Sequence, residues 1–205
     1  MSKDKNIVCI SSIDWNFIWQ GHQEIMSSFA REGKRVLFIE NTGVRTPGIR
    51  DMSRIRSRIK NWFSGIQGIR QEMENLYIFS PLVLPFPYSP IALWINRYLV
   101  ISTLRKWMKV MHFDDPVVWV FLPTPLSLSI IEAINAETVV YYCIDNFRAS
   151  VSWAKKIERS EIRILKRADL VFVTSRELYR HCAQYAQSVH FFPFGVDCNR
   201  FQEAR

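Results

Sequence analysis

The residues best placed for chemistry stand just after short apolar runs. Ser11 to Asp14 follow the run at 7–10, Glu40 and Asn41 the run at 35–39, and Pro123 and Thr124 the run at 117–121. Asp145 and Asn146 follow 138–143, Thr174 and Ser175 follow 170–173, and Phe194 and Gly195 follow 189–192. Such runs read as buried strands, and ligands bind at the carboxyl ends of parallel strands. His22 adds a titratable group at the first turn of a helix, where a neutral imidazole can take a proton from a hydroxyl. A structural histidine is the competing reading.

The loop from Ser11 to His22 narrows the ligand. It holds one glycine, Gly21, and three bulky aromatics, Trp15, Phe17 and Trp19. A dinucleotide fingerprint needs glycines at fixed spacing so that the backbone can approach a pyrophosphate. The loop therefore argues against NAD bound in the usual mode. Aromatic rings there suit a sugar or an apolar acceptor, or else they only pack. No zinc-ligand spacing, phosphate loop or nucleophile elbow is present, so no metal is expected.

The elements that must position these residues alternate along the chain. Helices are expected over 20–32, 89–111, 125–134, 152–166 and 175–185. Strands are expected at 7–10, 35–39, 76–80, 117–121, 138–143, 170–173 and 189–192. Ser89 before Pro90 is an N-cap followed by proline at the first helical position, and Gly33 ends the first helix. Continuous apolar strands, each followed by a helix, predict an α/β fold. The expected form is a doubly wound, mainly parallel Rossmann-like sheet with helices on both faces. It fills residues 1–201, and 202–205 read as the start of a connection.

The chain carries a formal net charge of +8 over 205 residues, which favours anionic partners. Apolar residues from Ile49 to Ile69 recur mostly three or four apart, with Arg50, Arg54, Arg56, Arg58 and Lys60 beside them. Trp62 and Phe63 lie in that stripe. Arg54, Arg58, Trp62 and Phe63 thus fit a membrane-facing helix, with a core-facing stripe as the alternative. The helix at 89–111 also carries aromatics and cations, and its stripe is read as a core face. No nucleic-acid recognition motif is present. The four cysteines form no Cys-x-x-Cys pair and read as reduced, buried thiols of a cytosolic chain. No apolar stretch approaches the roughly 20 residues of a spanning helix.

In the last third, Val139-Val-Tyr-Tyr-Cys-Ile-Asp-Asn146 precedes a helix with Glu158 and Glu161. Lys166-Arg-Ala-Asp-Leu-Val-Phe-Val-Thr-Ser175 and Phe192-Pro-Phe-Gly-Val-Asp-Cys-Asn-Arg-Phe201 follow. With Trp19-Gln-Gly-His-Gln23 and Val36-Leu-Phe-Ile-Glu40, this order resembles the N-terminal half of GT-B glycosyltransferases. It resembles in particular the bacterial group that builds cell-surface polysaccharides and teichuronic-acid-like polymers. The chain departs from that pattern at two positions. Phe194 stands where the family has Asn, and Tyr142 where it has the first Asp of a Tyr-Asp pair.

The resemblance implies the acceptor-binding half of a nucleotide-sugar hexosyltransferase acting in cell-surface polysaccharide or lipid-linked glycan synthesis. His22 and Asp145 would be catalytic, and Asp14, Trp15, Glu40 and Asn146 would bind a sugar or lipid-linked acceptor. Ser175, Phe194, Gly195 and Asp197 would border the donor side. No cofactor is implied beyond the nucleotide sugar of the complete enzyme. The donor-binding domain would follow Gly195-Val-Asp197, so a separate donor-domain chain is an implied partner, and this half alone is expected to be inactive. The implied location is the cytoplasm, with a peripheral position on the inner face of the plasma membrane as an option. The alternative is a non-catalytic membrane-docking or partner-binding module that keeps the half-fold.

Overall fold

A computed structural model describes residues 5–42, 68–84, 86–147 and 154–195. Its strands are β1 (Asn6–Ile10), β2 (Arg35–Ile39), β3 (Ile69–Met73), β4 (Leu76–Phe79), β5 (Val117–Val120), β6 (Thr138–Cys143), β7 (Leu170–Val173) and β8 (Val189–Phe191). Its helices are α1 (Gly21–Arg31), α2 (Pro90–Val110), α3 (Pro125–Ala133), α4 (Ala154–Arg167) and α5 (Arg176–Cys182). The strands form one sheet in the order β3-β4-β2-β1-β5-β6-β7-β8. Every neighbouring pair is parallel except β3 with β4. The mainly parallel α/β expectation therefore holds.

The chain winds outward from β1 in both directions. It first runs through β2 to β4, then returns to the other side of β1 and proceeds from β5 to β8. The gap between the carboxyl ends of β1 and β5 is thus a topological switch point, where this class of sheet opens a crevice.

Alternate strand residues feed two cores, as the period-two pleat requires. Val8, Ile10, Leu37, Ile39, Val118, Val120, Tyr141 and Val171 pack with side chains of α2, α3, α4 and α5 on one face. Ile7, Cys9, Val36, Phe38, Leu76 and Ile78 pack against Met26 and Ala30 of α1 on the other. Both faces of the β1 backbone are filled, and all five of its residues are buried.

Local signals explain where the helices begin. Thr124 and Ser175 cap α3 and α5, their hydroxyls accepting from the Ser127 and Leu178 amides at 3.2 Å each. Pro90 and Pro125 open α2 and α3 at a position that needs no N–H donor. At the end of α2, Arg35 donates to the Met111 and His112 carbonyls and lies over the Phe113 ring.

Two expectations change. Ile69, the end of the expected basic stripe, instead begins β3, which lies at the edge of the sheet among the described strands. The rest of that stripe, with Arg54, Arg58, Trp62 and Phe63, lies outside the described residues. The face of α2 is also not wholly a core face. Trp107 packs against Tyr77 and Phe113, but Trp94 and Tyr98 are exposed. Among the described residues no helix is long and apolar enough to cross a membrane.

Candidate active site at the switch point

His22 sits at the switch point. It is the second residue of α1, directly after the β1 loop, and its ring lies 4.1 Å from that of Phe121, just past β5. It is 1% exposed. Nε2 lies 2.9 Å from Ser12 Oγ, while Nδ1 is buried without a hydrogen-bond partner. An orphaned buried N–H is rarer than an orphaned lone pair, so we assign the proton to Nε2, donating to Ser12. Nδ1 then offers a free lone pair. Burial lowers the imidazole pKa from 6.5 to about 4, which keeps the ring neutral near pH 7.

The loop before His22 is held from several sides. Gln23 is fully buried; its Nε2 donates to the Trp15 carbonyl at 3.2 Å, and its Oε1 accepts from the Gln20 amide at 2.9 Å. Ser11 Oγ accepts from the Ile13 amide, and Trp19 Nε1 donates to Glu24. Glu40 is 3% exposed. One carboxylate oxygen accepts from the Trp15 amide at 3.0 Å and the other from the Ser80 hydroxyl at 2.6 Å. Glu40, read from the sequence as acceptor-binding, thus ties the loop to the end of β4, one oxygen on the Trp15 amide and the other on Ser80.

Trp15, also read as acceptor-binding, has a buried ring. It is buried against Phe38 and Trp19, with centroids 5.0 and 5.6 Å away. The rings this loop offers to solvent are Phe17 and Trp19. Asp14 is half-buried beside them, its carbonyl accepting from the Phe17 amide.

Asp145 and Asn146 follow β6, with β5 between them and the strand that leads to His22. Asp145 is exposed and its Oδ1 accepts from the Asn146 amide at 2.7 Å. Asn146 Nδ2 reaches Glu177 at 3.5 Å. The hydrogen bonds of Asp145 are therefore separate from those of His22. Ser175 is committed to the α5 cap.

The chain after β8 crosses back toward α1. The Phe192 amide donates to the Val173 carbonyl, and the Tyr142 hydroxyl donates to the Phe192 carbonyl at 2.6 Å. The Phe194 ring then lies 5.3 Å from Tyr142 and 6.5 Å from His22. A Cβ added at Gly21 would run into that ring, so a glycine at this position is what lets Phe194 approach the helix start. Gly195 has open space around it, and Asp197 lies outside the described residues. The two positions that depart from the family pattern, Tyr142 and Phe194, are thus in contact. Together with Phe121 they make an aromatic wall beside His22.

Sequence reasoning did not single out Ser12, Gln23 or Ser80. Ser12 lies just past β1 and Gln23 in the Trp19–Gln23 motif, but their residue types alone do not point to these partners. Among the described residues no group of His, Cys, Asp and Glu could hold a metal ion. Cys9, Cys143 and Cys182 are buried free thiols. A cavity of about 490 Å³ lies at the opposite edge of the sheet, lined by Arg105, Lys109, His112 and Asp114 among others; none of the candidate site residues lines it.

No family model matches the sequence, and neither does any curated protein. Solved structures do match. Sucrose-phosphate synthase from Thermosynechococcus elongatus aligns with a TM-score of 0.61 at 13% identity, over 95% of this chain and 49% of that one. A glycosyltransferase from Rickettsia africae gives 0.54 at 13% identity, over 98% and 46%. An alpha,alpha-trehalose-phosphate synthase (UDP-forming) from Burkholderia vietnamiensis gives 0.54 at 12%, over 98% and 51%. The chain spans about half the length of these structures, and its α/β sheet has the fold of one half of a GT-B glycosyltransferase.

Proposed function

We propose that this chain is the acceptor-binding half of a nucleotide-sugar glycosyltransferase of cell-surface polysaccharide or lipid-linked glycan synthesis. The observation that carries this reading is His22: a buried, neutral imidazole with a free Nδ1, set at the switch point of a GT-B-like half. The acceptor hydroxyl attacks the anomeric carbon of the donor. The bond from that carbon to the diphosphate oxygen breaks, and the nucleoside diphosphate leaves. The hydroxyl proton passes to Nδ1 of His22. Ser12 fixes the ring through Nε2, and Phe17 and Trp19 offer apolar surface to the acceptor. Charge on the leaving diphosphate falls to a second, donor-binding half.

The test combines this chain with a donor-binding half and a radiolabelled nucleotide sugar. Transfer to an acceptor is expected in the pair and not in this chain alone. Replacing His22→Ala should reduce transfer about 10²–10⁴-fold, the usual worth of a general base. Absence of transfer in every pairing, with no acceptor binding, would sink the proposal and favour a non-catalytic module. One observation favours that second reading: an apolar ring, Phe194, stands against Gly21 with its centroid 6.5 Å from that of His22.

A further inference from the structure

The exposed side of α2 divides into an aromatic half and a cationic half. Ile91, Trp94 and Tyr98 are 74%, 70% and 68% exposed, and Leu99 is also open. Spacings of three and four place the first three on one stripe. The same stripe continues, seven and eleven residues beyond Tyr98, into Arg105 and Lys109, with Arg97 and Lys106 exposed on its flanks. No acidic residue occurs anywhere in α2. Stability does not call for large apolar side chains at these open positions, because Val100, Ile101 and Leu104 already supply the helix's buried contacts.

The preceding loop extends the apolar half. Asn96 is 2% exposed and grips the backbone of Leu84 with both ends of its amide, accepting from the amide N–H at 2.6 Å and donating to the carbonyl at 3.0 Å. This clamp holds the loop against α2 while the Leu84 and Phe86 side chains remain exposed. Because α2 runs from the carboxyl side of β4 toward the amino end of β5, its aromatic half lies toward the edge of the sheet that carries His22.

We propose that this face of α2, with Leu84 and Phe86, is a docking surface for an anionic lipid bilayer. Trp and Tyr settle at the headgroup boundary, where one end of the ring is apolar and the other wet. Arg97, Lys106 and Lys109 beside them meet acidic headgroups through flexible stems, while Arg105 adds its charge from a guanidinium that donates to the Ala133 carbonyl. Charge complementarity selects this occupant: a helix bearing four cations and no anion fits an acidic lipid surface better than a second copy of the same basic chain. The surface stands independently of sugar transfer, and the two are read by different assays.

The experiment is co-sedimentation of the intact chain with vesicles of phosphatidylglycerol mixed into phosphatidylcholine, and with phosphatidylcholine alone. Binding is expected only to the acidic vesicles. Trp94→Ser with Tyr98→Ser should weaken it about tenfold or more. Lys106→Gln with Lys109→Gln should weaken it about fivefold per charge, an effect that high salt abolishes. These positions are exposed, so unchanged thermal unfolding confirms that each variant is folded. A parallel variant carrying Arg54→Gln, Arg58→Gln and Trp62→Ser separates the two basic segments. The proposal is overturned if acidic vesicles do not bind, or if binding survives both α2 variants, whether or not the parallel variant removes it. Sedimentation equilibrium showing a dimer that the Trp94 and Tyr98 changes dissolve, without vesicle binding, assigns the face to a second copy instead.

Discussion

Burying an imidazole couples its protonation to folding, and His22 is the residue where this matters most. Its folded pKa is near 4, against 6.5 when unperturbed, and burial is the cause. As the pH falls below 6.5 the unfolded chain takes up a proton that the folded chain refuses until about pH 4. Stability is therefore lost as the pH falls through this window, at up to about 1.4 kcal/mol per pH unit. Carboxylates begin to titrate in the same range, so the measurement is a comparison. Urea unfolding of the parent and of His22→Gln, followed from pH 7 to pH 4, should show a shallower pH slope in the variant. Equal slopes would mean that the folded protein already protonates His22. The sequence placed this histidine on the first turn of α1, but not its burial. Burial depends on Phe121, about a hundred residues away in the chain, and no local pattern reports that contact.

Between elements, one carboxylate ties α4, β6 and α5 together. Glu161 of α4 is 3% exposed. It accepts from the Tyr141 hydroxyl at 2.8 Å and lies 3.3 Å from His181 Nε2, with the Cys143 thiol 3.9 Å away. Burial raises the Tyr141 pKa further from neutrality, with Cys143 and Glu161 adding to it, so this hydroxyl stays protonated and donating. Tyr141→Phe keeps the ring and deletes the donor. It should cost about 1–3 kcal/mol, read as a lower urea midpoint at unchanged m-value. No loss would show that the hydroxyl is dispensable. The sequence located all three elements, since their apolar runs have clear periods, but it gave Glu161 only as part of a motif. β3 was hidden for a different reason. Arg70, Gln71 and Glu72 make it polar, as an edge strand can be, and an apolar stripe of helical spacing ran into Ile69. The usable signal was the pair Glu74-Asn75 between Met73 and Leu76. Asn75 takes a φ of 62°, a conformation that suits asparagine in a two-residue hairpin turn.

Across the whole molecule, order should fall from the middle of the sheet to its rims. β1 pairs with β2 and β5 and is buried along its full length. β8 pairs only with β7 among the described strands, and its His190 and Phe191 are exposed. The Phe192 amide donates to Val173, so the alternation of the ladder turns the Phe191 amide away from β7, as on any sheet edge. In native-state hydrogen exchange of the chain alone, the amides of β1 and β5 should approach the global unfolding free energy. Phe191 should exchange nearly as an open amide. Adding a donor-binding half tests the same gradient again. The segment from Phe192 to Phe194 passes over Tyr142 to reach Gly21, so a partner that draws this segment away from α1 should deprotect the start of the helix. A partner that instead covers the β8 edge should slow Phe191. If Phe191 in the chain alone is as protected as Cys9 in β1, the β8 edge is already paired, and the rim assigned here is not a free one.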